Sequence, residues 1–554
     1  MTEGSRIFIV GFSGTGKSSV GRRVARQLGW EFIDADELIV QQAGKPVEQI
    51  FAAGGEDAFR ELERKVIAEL ATRNGVVVSA GGGTMLQDEC RTTMLDSGLV
   101  VALDARPETV YARLSAAPAS ESAEGMIRPM LAADGGDPLE RIEALKRERQ
   151  WAYALAHWTV STDALSVEQA SLEVLRAWRR FGRASAWHGD PLLAATVTVE
   201  TGVYPIFVGW DIIEQQLGQR LLDAGLTGRA FIVCDSNVIH PYGRAAQRSL
   251  HKAGIEVGIF SFPAGEARKT LETAGLIYQW LAERRVERRD VIVAVGGGVV
   301  GDLAGFVAAT YLRGIKLVQV PTSMTAMVDS SIGGKTAVDL PVAKNLVGAF
   351  YHPELVLTDA SALRTLPDRA LCEGWAEALK HGLALDPSLV ETYESKAEAL
   401  LALEPELTAE VVARNAAVKA HIVTEDERET SGLRSLLNYG HTIGHGLEAA
   451  AGYDRYLHGE AVAIGMTGAA RLGLLQGVTS PELVERQAAL LARFGLPSSY
   501  SGVDADAILE AMGRDKKVVA GDVSWVLLED VGRSALHRGV PREQVERVVS
   551  ELSE

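Results

Sequence analysis

The stretch I-F-I-V-G-F-S-G-T-G-K-S, Ile7 to Ser18, decides how the first third of the chain is read. Four apolar residues read as a buried strand. The pattern G-x-x-x-x-G-K-[ST] that follows, Gly11 to Ser18, belongs between a strand and a helix. Gly14, Thr15 and Gly16 let backbone N–H groups turn inward around phosphate oxygens, and the helix N-terminus beyond them adds partial positive charge. Lys17 reaches the β- and γ-phosphates, the Ser18 hydroxyl ligates Mg²⁺, and Ser19 completes the loop. Working outward, short runs at Ile7–Val10, Glu31–Asp34, Val76–Ser79 and Leu99–Leu103 alternate with amphipathic stretches. That alternation predicts a parallel sheet covered by helices over residues 1–163.

The chain has 554 residues, enough for three or four folding units at roughly 150 residues each. With 47% hydrophobic and 23% charged residues it has the composition of a globular protein, not a disordered one. A formal charge of −17 argues against nonspecific binding to DNA or to anionic membrane. Three scattered cysteines, Cys90, Cys234 and Cys372, form no disulfide framework and suggest a reducing compartment. No run approaches the roughly 18 apolar residues of a membrane span, and the N-terminal apolar run is too short for a signal peptide. A soluble, cytoplasmic protein is the expectation.

From 164 to 195 the strand signals stop, and a terminal helix followed by a connector is expected there. A second α/β block is expected over 196–365, with strands at Thr196–Val199, Pro205–Val208, Phe231–Cys234, Gly258–Phe262, Val291–Val295 and Lys316–Val320. Alanine, leucine and glutamate then dominate, so 366–554 reads as mainly helical, with a late hairpin from Val523–Leu528 and Ala535–Val540. The predicted fold class is an α/β P-loop domain with a parallel sheet, then a larger α/β domain, then a mainly α-helical domain.

After the phosphate loop, Asp34 and Asp36 fall on one side of the chain by the period of two. One acid can hold a metal-bound water and the other can accept from a substrate hydroxyl. The segments I-F-A-A-G-G-E-D-A-F-R-E-L-E (Ile50–Glu63), S-A-G-G-G-T (Ser79–Thr84), R-P-M-L from Arg128 and R-x-x-x-Y (Arg149–Tyr153) follow in order. Over residues 1–163 this resembles shikimate kinase. The resemblance implies that Asp36, Arg60, Gly82 and Arg149 contact shikimate, that Asp34 holds Mg²⁺ through water, and that Arg128 sits on a mobile lid over ATP. The chemistry agrees, since a pair of arginines clamps a carboxylate and Asp36 accepts from a diol. A gluconate kinase would share the phosphate loop without needing the carboxylate clamp.

A second nucleotide motif follows the strand V-I-V-A-V: Gly296, Gly298 and Gly301 satisfy G-x-G-x-x-G, but the acid wanted about 20 residues on is missing. Further on lie Q-V-P-T-S-M-T-A-M-V-D-S-S-I-G-G-K-T (Gln319–Thr336), K-N-L-V-G-A-F (Lys344–Phe350), G-W-A-E-A-L-K-H-G (Gly374–Gly382), L-N-Y-G-H-T-I-G-H-G-L-E (Leu437–Glu448) and H-G-E-A-V-A-I-G (His458–Gly465). Glu377, His441, His445 and His458 are zinc-ligand types, and spacing alone would pick the i,i+4 pair His441 and His445. From about Val199 onward the chain resembles 3-dehydroquinate synthase.

That resemblance assigns zinc (or cobalt) to Glu377, His441 and His458. It gives the heptulosonate phosphate to Arg313, Asp329, Lys335, Asn345, Lys380, Lys419, Arg434, Asn438, His445 and Lys517, where Lys516 is not separable from its neighbour. Among these, Lys335, Lys380, Lys419, Arg434, Asn438 and His445 are the expected catalytic set beside Lys17 and Arg128 of the kinase. NAD is expected at Asp235, Asn237, Glu266, Lys269, Gly298, Val299, Val300, Gly301, Asp302, Thr322, Ser323, Lys335, Lys344, Ala362, Leu363, Arg364 and Thr365. The family usually has D-G-E where this chain has A-G-E at Ala264–Glu266, which removes one carboxylate near the adenosine end.

The resemblances together imply a bifunctional enzyme of aromatic precursor synthesis using ATP with Mg²⁺, NAD and zinc. Shikimate is phosphorylated at its 3-hydroxyl. In the other unit NAD⁺ oxidises the C5 carbinol, the ketone acidifies the adjacent C–H so that phosphate leaves, and the hydride is then returned. The expected partners are these small molecules, with no nucleic acid or membrane, and a homodimer forms through the synthase part. A zinc polyol dehydrogenase would share the second fold without needing the lysine cluster, and a nucleotide sensor would need no metal ligands.

Overall fold

Ile7, Phe8, Ile9 and Val10 are fully buried at the centre of a five-stranded parallel sheet. Its order is β2 (Glu31–Asp34), β3 (Val76–Ser79), β1 (Arg6–Gly11), β4 (Leu99–Asp104), β5 (Trp158–Ser161). This is a computed structural model, and it describes residues 5–116, 137–153, 155–184, 187, 189–341, 343–429, 432–452, 455–513, 518–519 and 522–554. The chain divides into two compact units, 1–186 and 187–554. In the first, α1 (Lys17–Leu28) starts directly after the glycine loop and stops at Gly29, whose φ of 67° only glycine adopts cheaply. Val20, Val24 and Ala25 face the sheet, and the arginines between them face solvent.

The first four strands match the sequence reading within a residue or two, while β5 was not foreseen. The terminal helix expected within 164–195 is present, but it belongs to the first unit and not to a connector. Residues Val167–Ala184 form a helix whose Ala170, Val174 and Ala177 pack with Ile7, Ile9 and Leu103 in one core. Trp178 stands edge-on to Trp30 with ring centroids 5.0 Å apart. Arg176 lies between Val174 and Ala177 of that i, i+4, i+7 apolar stripe, so composition alone hid the pattern. The first unit therefore runs to 186 and not to 163, and Trp187, Leu192 and Leu193 already pack on the core of the second.

The second unit is built on a seven-stranded sheet of order β6 (Leu193–Val199), β7 (Gly202–Gly209), β14 (Leu355–Asp359), β11 (Lys316–Pro321), β10 (Val291–Gly296), β8 (Ala230–Asp235), β9 (Val257–Phe262). Only the β6–β7 pair is antiparallel. From β8 the chain moves outward to β9, then returns beside β8 as β10 and proceeds the other way to β11 and β14. The carboxyl ends of β8 and β10 therefore flank a switch point, where open α/β sheets bind ligands. The hairpin β12 (Lys335–Leu340) and β13 (Ala343–Phe350), like β14, was not read from the sequence.

The helical half follows the reading closely, and its late hairpin pairs Trp525–Asp530 with Arg533–His537. The boundary at 365/366 separates kinds of secondary structure, not cores. Val197, Tyr204, Val356 and Leu363 share one buried cluster with Trp375, Leu379, Tyr393 and Val462. Close glycine contacts draw the metal-bearing helices together. A Cβ on Gly459 would lie 1.9 Å from the Glu373 carbonyl oxygen, and one on Gly465 would lie 1.9 Å from that of Gly440. Among the described residues no helix is long and apolar enough to cross a membrane.

Candidate active sites

In the first unit the loop Gly11–Gly16 leads into α1 with Gly14 at φ 80° and Gly16 at φ 96°. A Cβ at Gly16 would meet nothing within 4 Å, so the mouth of the loop is open at the helix N-terminus. That shape and those N–H groups fit a nucleotide phosphate. Ser18 Oγ donates to Asp34 Oδ2 at 2.9 Å and lies 3.4 Å from Ser79 Oγ, so the two expected magnesium residues stand side by side. Lys17 Nζ contacts the Phe12 carbonyl at 3.3 Å.

Asp36, Arg60 and Arg149 surround the Gly81–Gly83 turn. Cβ atoms built at Gly81, Gly82 and Gly83 would lie 2.9 Å from Asp36 Oδ1, 3.6 Å from Arg149 Nη1 and 2.7 Å from Arg60 Nη1. A side chain at Gly81 or Gly83 would push Asp36 or Arg60 aside, whereas Gly82 makes only an ordinary contact with Arg149. Glu63, buried, takes Arg60 Nη1 at 2.8 Å and also accepts from Thr84 and Gln87, which aims the guanidinium. The Tyr153 hydroxyl donates to the Gly82 carbonyl at 2.5 Å. Burial, then Asp34 and Glu63, push Asp36 up to about 6. Arg128 and most of the expected lid lie outside the described residues.

In the second unit β10 runs through Gly297 into α5 (Gly298–Thr310), and α5 starts at the switch point. Thr322 N donates to the Gly296 carbonyl at 3.0 Å, and Ser323 Oγ would be 3.2 Å from a Cβ on Gly297. Val300 is wholly buried, so its backbone is what it offers the pocket. At the end of β8, Asp235 accepts from Asn237 N at 2.8 Å. Lys269 gathers Glu266 at 2.9 Å, Asp302 at 3.4 Å and Asn345 at 2.8 Å. Burial pushes Asp302 up to about 7 against the pull of that lysine.

Ala362 and Leu363 are buried, and Arg364 is turned to Asp211 at 2.7 Å and over Trp210, while Thr365 pairs with Tyr242 at 2.8 Å. Arg313, at φ 65°, lies beyond the far end of α5 from Gly298, about 20 Å along the helix axis. It makes no hydrogen bond or ion pair among the described residues. Lys517 lies outside the described residues.

Three helices meet beside this pocket: α6 (Asp368–Leu385), α8 (His441–Ala450) and α9 (His458–Leu475); α7 (Pro405–Glu425) carries Lys419. The Nε2 atoms of His441 and His458 each lie 3.5 Å from Glu377 Oε1. That oxygen is buried with no hydrogen-bond partner among the described residues. Tetrahedral zinc ligands about 2.1 Å from their ion stand about 3.4 Å apart, so the triad fits such an ion. His441 Nδ1 is placed to donate to the Tyr439 carbonyl at 3.2 Å, which leaves Nε2 to ligate. His445, which spacing alone would have made a ligand, has its ring 5.1 Å from that of His441 and 6.0 Å from that of His458.

Charged pairs line the rest of the site. Lys380, wholly buried, pairs with Glu377, Lys419 meets Asp329 at 2.5 Å, and Lys335 pairs with Glu429. Arg434, also buried, donates to the carbonyls of Gly333 and Glu427, and Asn438 ends its short helix three residues before His441. Burial alone would raise Glu377 and Asp329; the lysines, with His458 for Glu377, hold both carboxyls well below the usual range. Two residues here were missed in the sequence. His381, wholly buried with neither ring nitrogen hydrogen-bonded among the described residues, is driven down to about 3 by burial and then Lys380. Glu448 accepts from His458 Nδ1 at 3.1 Å. Both stood inside quoted motifs, beside Lys380 and at i+7 from His441, but neither spacing alone marks a role.

The geometry defines a class first: a P-loop phosphotransferase unit joined to an α/β unit in which a dinucleotide pocket abuts a metal triad and a cluster of lysines. Residues 13–179 match the family model of shikimate kinase, 259–373 that of the 3-dehydroquinate synthase N-terminal domain, and 374–518 that of its C-terminal domain. The 3-dehydroquinate synthase of a Synechococcus species is 43% identical over 359 residues, 64% of this chain and 96% of its own length. That of Symbiobacterium thermophilum is 47% identical over 328 residues, 58% of this chain and 90% of its own. A 2-deoxy-scyllo-inosose synthase solved with carbaglucose-6-phosphate, NAD⁺ and Co²⁺ is 28% identical with a TM-score of 0.59, over 64% of this chain and 99% of its own. The chain belongs to the 3-dehydroquinate synthase family, with a shikimate kinase unit fused ahead of it: a bifunctional enzyme of the shikimate pathway.

Proposed function

We propose that the first unit transfers the γ-phosphoryl of ATP to the 3-hydroxyl of shikimate, and that the second converts 3-deoxy-D-arabino-heptulosonate 7-phosphate to 3-dehydroquinate in the cytoplasm. The observation that carries the second half is the triad Glu377, His441 and His458, its first two members buried, beside the paired lysines. Zinc, held by that triad, supplies Lewis acidity, and NAD⁺, held at the Gly296–Gly301 turn, supplies a hydride acceptor. Lys380, Lys419 and Arg434 bind the substrate carboxylate and hydroxyls in a site that burial keeps dry. Lys335, with His445, Asn345 and Lys517, binds the phosphate, and Asp329 accepts from a hydroxyl. In the first unit Arg60 and Arg149 clamp the shikimate carboxylate, Asp36 accepts from its diol, and Lys17, Ser18 and Asp34 hold ATP and Mg²⁺.

Arg313 supports a homodimer. It stands outside its own site with no described partner, and the exposed Leu312, Leu346 and Phe350 offer apolar surface on the segment after α5 and on β13. In a two-fold dimer the arginine would serve the neighbouring copy. Arg313→Ala and Lys380→Ala should each be nearly inactive as synthases, yet mixing them after reversible dissociation should restore about a quarter of native activity, because half the dimers then hold one complete site. No recovery in a verified mixed dimer would place Arg313 in its own subunit.

Burial, with Arg434 and Lys380 close by and against the attraction of Asp329, brings Lys419 down to about 8. Its ammonium is therefore present below that pH and lost above it. Synthase kcat/KM should fall about tenfold per pH unit on the alkaline side of about 8. In Lys419→Arg, whose side chain stays charged, that fall should move out of the measured range. An unchanged alkaline limb in the arginine variant would remove Lys419 from the ionised set.

Because the helix Val167–Ala184 closes the core of the first unit and Trp187 joins that of the second, residues 1–186 and 187–554 expressed separately should each be soluble and keep activity within about twofold. The product of the second unit must still be dehydrated and reduced before it becomes the substrate of the first. Fusion therefore passes no common intermediate between them. Loss of most activity from either piece would show that the units depend on one another.

A further inference from the structure

The carboxylate of Glu448 lies between the metal triad and the dinucleotide pocket. Its Oε2 is 3.1 Å from His458 Nδ1, and its Oε1 is 3.8 Å from Lys344 Nζ. Lys344 is in turn 3.8 Å from Glu266 Oε1, among the residues around Lys269. The Glu448 side chain is only 8% exposed. Resting on the metal reading above, we propose that Glu448 is the positioning residue that holds His458 ready to ligate.

A neutral imidazole carries one N–H and one lone pair, and its outer hydrogen bond decides which nitrogen keeps which. A carboxylate at Nδ1 keeps the proton there, so the lone pair stays on Nε2, the atom that faces Glu377 Oε1 at 3.5 Å. The two imidazole ligands are served differently. His441 has a backbone carbonyl at its Nδ1, whereas His458 has an anion, which makes its ring the more basic ligand. Topology gives the second reason. His441, His445 and Glu448 fall at i, i+4 and i+7 on one face of α8, while His458 opens α9. Glu448 therefore connects the face bearing one ligand to the helix that brings the other. Lys344, on β13, engages its second oxygen and restrains its rotation.

The test is zinc affinity of the full chain, measured by competition with a chromogenic chelator at fixed pH without substrate. Glu448→Gln, isosteric and neutral, should bind zinc about 10- to 100-fold more weakly, and Glu448→Ala at least as weakly. The cobalt-loaded Gln protein at saturation should keep the native visible spectrum, because the ligands themselves are unchanged. Native zinc affinity in the Gln variant would overturn the proposal. So would an altered cobalt spectrum, since Glu448 would then be a ligand and not a positioning residue. His458→Ala, run in parallel, separates the two readings. If it keeps native zinc the triad itself is wrong, whereas if it loses zinc while Glu448→Gln does not, only the role of Glu448 fails.

Discussion

Replacing Lys17 with alanine is expected to lower phosphorylation of shikimate by about a hundred- to a thousandfold while leaving dehydroquinate formation within about twofold of native. The ammonium follows directly after the open glycine loop, at the start of α1, where charge on the transferring phosphoryl group is stabilised. Removing one such contact from a preorganised site costs about 3–4 kcal/mol. Steady-state assays of both reactions on one preparation check this. Parallel loss of both activities would mean that the substitution acts through the fold and not through the loop.

The second large effect is expected at the metal triad. Chelation should abolish dehydroquinate formation, zinc or cobalt should restore it, and His458→Ala should stay inactive at ordinary metal levels. Glu377 explains the size of the effect, because its Oε1 is buried without a hydrogen-bond partner among the described residues and two imidazoles face it at the spacing of ligands. Magnesium alone should still support the kinase after chelation. Metal content by elemental analysis, read beside activity, decides the matter. A His458→Ala protein with full zinc and full activity would contradict the ligand set.

Much of this was legible because two motifs carry their own structural context. Ile7–Val10 could only be the strand that feeds a phosphate loop, and the structure buries all four residues. Val291–Val295 likewise feeds the glycine turn at the switch point of the larger sheet. What failed was punctuation by composition. The polar residues from Arg176 onward suggested a tether, yet Ala170, Val174 and Ala177 on the helix that leads into them close a core. The hairpin of Lys335–Leu340 and Ala343–Phe350 was hidden because its residues had been read for charge and not for alternation.

The active sites were legible by residue type but not by convergence. Glu377 lies 64 residues before His441 in sequence, and only the packing of α6, α8 and α9, allowed by Gly459 and Gly465, brings their atoms to 3.5 Å. Residues that act through another group were invisible for the same reason. Glu63 behind Arg60 and Glu448 behind His458 carry no pattern of their own, since each is defined by the partner it meets across the fold.

The central claim is that one chain holds two independent catalytic sites, and the most direct measurement is a pair of assays on one purified preparation. With heptulosonate phosphate, NAD⁺ and zinc, it should release phosphate and form 3-dehydroquinate; with shikimate, ATP and Mg²⁺, it should form shikimate 3-phosphate, each reaction unaffected by omitting the other's cofactors. A preparation folded and metal-loaded that turned over only one of the two substrates, or neither, would contradict the account.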